Sequence, residues 1–122
     1  MKSNASGIVR ILKAFTYSFD GFVSAFKSEA AFRQDILFCI IAGILAFIME
    51  ATAMQRVAII CALLFILFME LVNTAIEAVV DRISDDYHIL SKKAKDIGSL
   101  LVLLAFIQTF IVFGTVIYCN YF

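Results

Sequence analysis

Four oxygen-bearing side chains recur at spacings of three and four residues in one predicted helix. They are Glu70, Asn73, Glu77 and Asp81. Helical rotation of about 100° per residue places all four within an arc of about 80°. Carboxylates stacked on one face repel each other unless cations lie among them, and Mg²⁺ typically takes one or two carboxylates together with phosphate oxygens. The pattern therefore predicts a site for a metal-bound nucleotide.

This acidic face begins inside a membrane span, because Glu70 directly follows an apolar run from Val57 to Met69. An acid in a span costs roughly 2.5 to 3.5 kcal/mol on insertion scales, so it is expected to face protein or water and to have a function. The alternative is a polar seam that only joins helices through hydrogen bonds. A lone Asn or Thr would favour the seam, whereas two glutamates beside Asn73 and Asp81 favour a binding site.

Glycine-rich phosphate loops are absent from the sequence, because its five glycines are scattered and neither GxxxxGK nor GxGxxG occurs. Phosphate contacts must then come from cationic side chains and metal. Lys95 and Asp96 open the last apolar stretch, where Lys95 can neutralise phosphate, and Arg10 and Arg33 can add charge from other segments. Four other lysines are better explained as anchors to lipid headgroups: Lys2, Lys27, Lys92 and Lys93.

Other polar positions are weaker candidates. An isolated surface histidine such as His88 more often has no ligand. Gln108 and Thr109 interrupt the third span, where hydrogen bonding between helices is the better explanation. Ser99, one turn after Lys95, is placed to contact a lipid glycerol. The three cysteines lie in apolar surroundings without CxxC spacing, so neither a disulfide framework nor a zinc site is predicted.

The composition indicates that lipid surrounds the helices carrying these residues. Of 122 residues, 63% are hydrophobic and 16% are charged, and the mean hydropathy is +0.99. Soluble domains carry about a quarter charged residues. The length leaves no room for a separate water-soluble catalytic domain, and ten basic residues balanced by ten acidic ones argue against a nucleic-acid partner.

The hydropathy pattern predicts an all-α membrane protein with a single membrane domain over residues 1–122. Between residues 7 and 28, apolar side chains at helical spacing predict an amphipathic helix lying at the membrane surface. Three further stretches are long enough to cross a membrane as helices: 33–54, 56–83 and 95–119.

Basic residues determine the predicted orientation. With the N-terminus in the cytoplasm, only Arg56 of the ten Lys and Arg side chains lies outside. The acidic face then opens at the cytoplasmic surface. The nine basic residues on that side are Lys2, Arg10, Lys13, Lys27, Arg33, Arg82, Lys92, Lys93 and Lys95.

Three motifs are specific enough to suggest a family. They are Glu29 with AAFRQD at 30–35, E-x-x-N-x-x-x-E-x-x-x-D-R at 70–82 and AKDIGS at 94–99. With GIVRILKA at 7–14, they resemble the prokaryotic integral-membrane diacylglycerol kinase family over nearly the whole chain. The resemblance implies a homotrimer in the bacterial inner membrane, each subunit with a surface helix and three spans. It also implies transfer of the γ-phosphoryl group of ATP, with Mg²⁺ as cofactor, to diacylglycerol to form phosphatidic acid.

The resemblance implies roles for individual residues by motif position. Glu70 resembles the general base that takes the lipid hydroxyl proton, and Glu29 and Glu77 resemble the metal and ATP ligands, supported by Asn73 and Asp81. The other implied ATP contacts are Arg10, Tyr17, Asp86, Tyr87, His88, Lys95 and Asp96. The implied lipid contacts, besides Glu70, are Arg10, Ala14, Phe15, Thr16, Tyr17, Ser18, Phe19, Val23, Ser24, Ala25, Phe26, Ala31, Phe32, Arg33, Gln34, Asp35, Arg56, Ser99 and Phe113.

Two other functions stay open at this point. One is the related undecaprenol kinase activity, whose lipid is a polyprenol, and the other is a small proton-coupled transporter. The run at 29–34 favours diacylglycerol, and transporters of this size usually need four spans. The chain departs from the family pattern at Asp35, where Glu is common, at Lys92, where Gly is common, and in its lack of Trp.

Overall fold

The protein is built from helices over the part of the chain that its computed structural model describes, residues 6–122. In chain order these are α1 (Gly7–Ser28), α2 (Ala30–Ile48), α3 (Ala53–Ile83) and α4 (Ile89–Tyr121). Helices α2, α3 and α4 are long and apolar enough to cross a membrane. The predicted all-α class with three spans is confirmed.

Helix α1 separates apolar from polar side chains along its length. Its apolar residues, including Ile8 and Phe15, remain exposed on the protein, and only Ala25 near its end is buried. A bilayer surface suits such an exposed apolar face. The surface position of α1 stays a prediction.

Lys2, predicted to anchor a lipid headgroup, lies outside the described residues.

Helix α2 ends at Ile48, although the sequence predicts a span that continues to residue 54. A capping box lies at the start of α3, within the last part of the predicted span. The Thr52 hydroxyl accepts a hydrogen bond from the Gln55 N–H at 3.1 Å, and the Gln55 side-chain oxygen accepts one from the Thr52 N–H at 2.9 Å. Because this arrangement satisfies free amides at a helix start, α3 begins at Ala53, three residues earlier than predicted.

Helix α4 begins at Ile89, six residues before the predicted start of the third span. His88 caps it, since its Nδ1 atom accepts a hydrogen bond from the Leu90 N–H at 3.1 Å. The first turns of α4 carry several charges, which a hydropathy pattern assigns to a loop. The helix therefore extends beyond its apolar segment.

Helix α3 is central and packs against both α4 and α2. Ile59 and Ala105 are completely buried in the core between them. The Thr109 hydroxyl shares its hydrogen between the Ala105 carbonyl of its own helix, at 2.9 Å, and the Ala62 carbonyl across the interface, at 3.3 Å. The predicted hydrogen bond between helices is confirmed for Thr109, whereas Gln108 is exposed.

The end of α4 is tied to the connection between α2 and α3. The Tyr121 hydroxyl accepts a hydrogen bond from the Glu50 N–H at 2.7 Å, and the Asn120 amide donates to the Gln55 side-chain oxygen at 2.8 Å. We call these four residues the outer clasp. It lies at the end of the bundle opposite the connection between α3 and α4.

Candidate active site

A buried carboxyl group lies where α2 and α3 meet. Glu70 on α3 is only 5% exposed, and its carboxyl lies beside the Asp35 carboxyl on α2. Glu77, two turns further along α3, and Glu29, at the start of α2, are close enough to act on it electrostatically. We call these four residues the acidic cluster.

Asn73 connects the acidic cluster to α4. Its Nδ2 atom donates a hydrogen bond to Glu77 at 3.3 Å, while its Oδ1 atom is buried without a hydrogen-bond partner among the described residues. Gly98 on α4 packs directly against this side chain, and a Cβ atom at position 98 would collide with Oδ1. Close packing at Gly98 therefore holds Asn73, and through it the Glu77 carboxylate.

An open cavity of about 600 Å³ lies where α3 ends and α4 begins, and we call it the loop cavity. It collects five predicted ATP contacts together with the supporting residue Asp81. Their arrangement places charged groups of both signs around one opening. The predicted residues that line it are Asp81, Asp86, Tyr87, His88, Lys95 and Asp96, and the others are Val80, Ser84, Asp85, Ser91 and Lys92.

Ion pairs organise the wall of the loop cavity. Lys95 Nζ lies 2.7 Å from the Asp81 carboxylate and joins α4 to α3, and Lys92 Nζ lies 2.6 Å from the Asp96 carboxylate one turn away. Both pairs are well exposed, so their ammonium groups can exchange a carboxylate for a phosphate. His88 accepts its capping hydrogen bond at Nδ1, which leaves Nε2 to carry the hydrogen of the neutral ring.

A second opening, of about 530 Å³, separates α1 from α3, and we call it the surface groove. Glu29 of the acidic cluster lines it. The rest of its wall is made of small or apolar side chains, which suit a hydrocarbon chain. Three predicted lipid contacts, Ser18, Ser24 and Ala25, line the groove, together with Gly21, Phe22, Ser28, Leu71, Thr74, Ala75 and Ala78.

Two predicted lipid contacts lie away from the acidic cluster. Arg56 precedes Glu70 by fourteen residues on α3, a distance of about 21 Å along the helix axis. Its guanidinium donates to the carbonyls of Ala46 at 3.1 Å and Met49 at 3.0 Å, and so caps α2. Phe113 packs against the core in the C-terminal half of α4. A lipid contact at either residue stays a prediction.

The remaining predicted lipid contacts are mostly exposed. Phe32 is buried under Phe22, with ring centroids 5.8 Å apart in an edge-to-face arrangement, and Val23 is half-buried. The hydroxyls of Thr16 and Ser18 donate back to carbonyls of their own helix. Arg10 and Tyr17, predicted to bind ATP as well, line neither opening. The exposed positions are Arg10, Ala14, Phe15, Tyr17, Phe19, Phe26, Ala31, Arg33, Gln34 and Ser99.

The donor set of the acidic cluster fits a metal that arrives with phosphate. In residues 6–122 of a single chain, no group of three or more His, Cys, Asp or Glu side chains is arranged to hold a metal ion by itself. Mg²⁺ usually takes only one or two carboxylates and completes its shell with phosphate and water. Glu29 and Glu77 of the acidic cluster match that requirement as a pair of carboxylates.

Comparison with known proteins identifies the family. The sequence profile of prokaryotic diacylglycerol kinase matches residues 16–117, which include the whole acidic cluster and the loop cavity. The chain belongs to this family. It is 40% identical to a diacylglycerol kinase of Escherichia coli strain K12 over 121 residues, or 99% of each chain.

Other relatives carry the same name. The chain is 41% identical to a diacylglycerol kinase of Pseudomonas aeruginosa over 112 residues, which cover 92% of this chain and 91% of that protein. It is 32% identical to one of Helicobacter pylori strain J99, over 97% of this chain and 92% of that protein. The apolar helices and the bacterial relatives together show a membrane protein of bacterial type.

Sequence reasoning missed three features of the site. It assigned Asp35 to the lipid path and did not detect its contact with Glu70. It treated Gly98 as one of several scattered glycines, although its position three residues after Lys95 in the AKDIGS run was a usable signal. It also gave no structural role to Arg33, whose guanidinium donates to main-chain carbonyls of α1.

Proposed function

We propose that the protein is an ATP-dependent diacylglycerol kinase that forms phosphatidic acid in the course of lipid recycling. The observation that carries this proposal is the position of the buried Glu70 at one end of an acidic face. That face continues along α3 to Asp81 in the wall of the loop cavity, over about 16 Å of helix. It connects a carboxylate within reach of a membrane lipid to a cavity within reach of a soluble nucleotide. The relatives described above are named diacylglycerol kinases.

The proposed reaction is a substitution at the γ-phosphorus of ATP. The free hydroxyl oxygen of diacylglycerol forms the new bond to phosphorus, and the bond from phosphorus to the bridging β–γ oxygen breaks. ADP leaves with that electron pair. The hydroxyl proton passes to the Glu70 carboxylate, which later releases it to water. Glu70 takes this role because it is the acid of the α3 face that lies closest to the apolar run.

The nucleotide is proposed to occupy the loop cavity. Phosphoryl transfer needs positioning and charge neutralisation more than covalent chemistry, so a glycine-rich loop is not required. Lys95 supplies charge by exchanging Asp81 for a phosphate, and His88 offers its Nε2 hydrogen. The further proposed ATP contacts are Arg10, Tyr17, Asp86, Tyr87 and Asp96.

Mg²⁺ is proposed to enter with ATP. Glu29 and Glu77 would hold it, and Asn73 would keep Glu77 in place through the hydrogen bond between them. When bound, the ion neutralises charge on the phosphates. The chain supplies these two carboxylates from different elements, Glu29 from the junction of α1 with α2 and Glu77 from α3.

The proposed setting is the bacterial inner membrane, with the N-terminus in the cytoplasm and three copies forming a homotrimer. The basic residues concentrated on the side of the loop cavity support this orientation. Arg10 and Tyr17 line neither opening of their own chain, which supports an assembly in which a neighbouring subunit supplies them. The relatives' shared name gives no support to an undecaprenol kinase or a proton-coupled transporter.

A transfer assay with competing lipids tests the proposed function. Purified protein in mixed micelles would receive ATP labelled at the γ-phosphate, with diacylglycerol and undecaprenol side by side. We expect Mg²⁺-dependent label in phosphatidic acid and little in undecaprenyl phosphate. Label that appears mainly in undecaprenyl phosphate would assign the second lipid, and no label in either lipid would contradict a lipid kinase.

A further inference from the structure

The junction between α1 and α2 consists of one residue, Glu29. Its backbone is extended, with φ −114° and ψ 105°. The Glu29 N–H donates to the Ala25 carbonyl at 2.9 Å, and the Glu29 carbonyl accepts from the Arg33 N–H at 3.3 Å. The same residue therefore closes α1 and opens α2. With no linker between the helices, the angle between them determines where the Glu29 carboxylate points.

The Arg33 side chain bridges this junction. It lies on the first turn of α2, and its Nη1 atom donates to the carbonyl of Phe26 at 2.6 Å and to that of Lys27 at 3.1 Å. Both carbonyls belong to the last turn of α1, where backbone oxygens have no amide partner within their own helix. A cation is also favoured at this negative end of a helix. Arg33 thus caps α1 from the next helix.

We propose that Arg33 is a positioning residue for Glu29. By fixing the angle between α1 and α2, the cap holds the Glu29 carboxylate at the surface groove and within electrostatic reach of Glu70. The proposal rests on the proposed function, in which Glu29 binds the metal and nucleotide. It differs from a lipid contact, because the guanidinium acts through main-chain carbonyls and through Glu29.

Three variants distinguish the effect of the capping hydrogen bonds from the effect of positive charge alone. Arg33→Ala removes both hydrogen bonds, whereas Arg33→Lys keeps a cation and a nitrogen able to donate to both carbonyls. Lys27→Ala is the matched control, because it removes a cation from the same turn of α1 but leaves the backbone carbonyl that accepts the bond. Each variant would be studied as the full chain in micelles, and hydrogen exchange across α3 and α4 would verify that it is folded.

Two of the measurements do not depend on catalytic activity. In Arg33→Ala we expect faster amide hydrogen exchange at residues 25–30, and about tenfold weaker binding of Mn²⁺ with a non-hydrolysable ATP analogue, measured by electron paramagnetic resonance. The Mg²⁺ concentration for half-maximal transfer should rise by a similar factor, with the KM for diacylglycerol little changed. Arg33→Lys should stay close to the wild-type protein in each of these measurements, and Lys27→Ala should match the wild-type protein.

Two results would overturn the proposal. If Arg33→Ala raises the KM for diacylglycerol while hydrogen exchange and Mn²⁺ binding stay normal, Arg33 contacts the lipid. If Arg33→Lys is as impaired as Arg33→Ala in every readout, the cap is not the cause. Failure of the proposed function is distinct, since it would appear as a wild-type protein without transfer to diacylglycerol, whereas the exchange measurement reports on the cap without any substrate.

Discussion

At the scale of single residues, burial distinguishes Glu70 from the other acids of α3. Asp81 is exposed and Glu77 is half-buried, whereas Glu70 is sealed between helices next to Asp35. A lipid hydroxyl approaches from the membrane, so the nearest proton acceptor is Glu70. General-base assistance contributes about 10² to 10⁴ in rate. We therefore expect Glu70→Gln to lower kcat by about that factor, as measured in the micelle assay with labelled ATP.

The affinity for an ATP analogue provides the control for Glu70→Gln. It should change much less than the rate, because Glu70 is not proposed to hold the metal. Both quantities would be measured on one folded oligomeric preparation. Near-normal turnover would exclude Glu70 as the base, and weak nucleotide binding with a normal saturated rate would move it to the metal site.

Glu29 and Glu77 are expected to control the metal requirement instead. Glu29→Gln and Glu77→Gln each remove one negative charge from the proposed Mg²⁺ position and should raise the Mg²⁺ or ATP concentration for half-maximal activity, in addition to lowering the rate. Glu50→Gln is the matched control, because Glu50 lies in the outer clasp and contributes only its backbone N–H there. Unchanged metal dependence in both variants would mean that the acidic face only joins helices.

At the scale of helices, the contact of Gly98 with Asn73 links the packing of α3 and α4 to the site. A methyl group at Gly98 would collide with the Asn73 oxygen and push this side chain away from Glu77. Overpacking of this kind typically costs about 1 to 3 kcal/mol. We expect Gly98→Ala to lower both the unfolding midpoint and the affinity for Mg²⁺ with ATP.

Gly114→Ala is the control for Gly98→Ala on the same helix, since nothing lies within 4 Å of a Cβ atom there. It should keep wild-type activity, and it gains helix propensity because alanine restricts the unfolded chain more than glycine. Equal effects of the two substitutions on activity would show that glycine flexibility in α4, rather than contact with Asn73, matters for the site.

The outer clasp is expected to contribute stability without affecting chemistry. Tyr121→Phe deletes the hydroxyl that accepts the Glu50 N–H bond and should reduce the free energy of unfolding by roughly 0.5 to 1.5 kcal/mol. Tyr118→Phe, at an exposed position one turn earlier, is the control. Thermal unfolding in detergent would measure both. A large loss of transfer activity in folded Tyr121→Phe would contradict a purely structural clasp.

The helices were predictable from sequence because apolar periodicity and span length reflect contact with lipid directly. The ends of the helices were less predictable, because hydropathy does not reflect helix capping. The capping box of Thr52 and Gln55, for example, starts α3 within a stretch predicted to belong to the preceding span. Contacts between helices depend on rotation and crossing angle, which spacing along one chain does not determine. For this reason the face with Glu70 was predicted, whereas its Asp35 partner and the fit of Gly98 to Asn73 required the structure.

At the scale of the whole molecule, the acidic cluster, the loop cavity and the start of α4 lie towards one end, and the outer clasp lies at the other. Only Arg56 among the basic residues of the described chain lies near the clasp end, where it caps α2. Such asymmetry favours the proposed orientation, with the basic end in the cytoplasm. A soluble nucleotide would then meet the loop cavity from the compartment that contains ATP.

Cysteine labelling tests this orientation. In a variant that lacks Cys39, Cys61 and Cys119, single cysteines would be introduced as Leu90→Cys, at the exposed start of α4, and Phe122→Cys, which is 94% exposed at its other end. We expect a membrane-impermeant maleimide to label position 122 in intact cells and position 90 only after permeabilisation. Each site serves as the control for the other, because the two positions lie at opposite ends of α4. Labelling of position 90 in intact cells would place the loop cavity outside, away from ATP, and would contradict both the orientation and the proposed kinase.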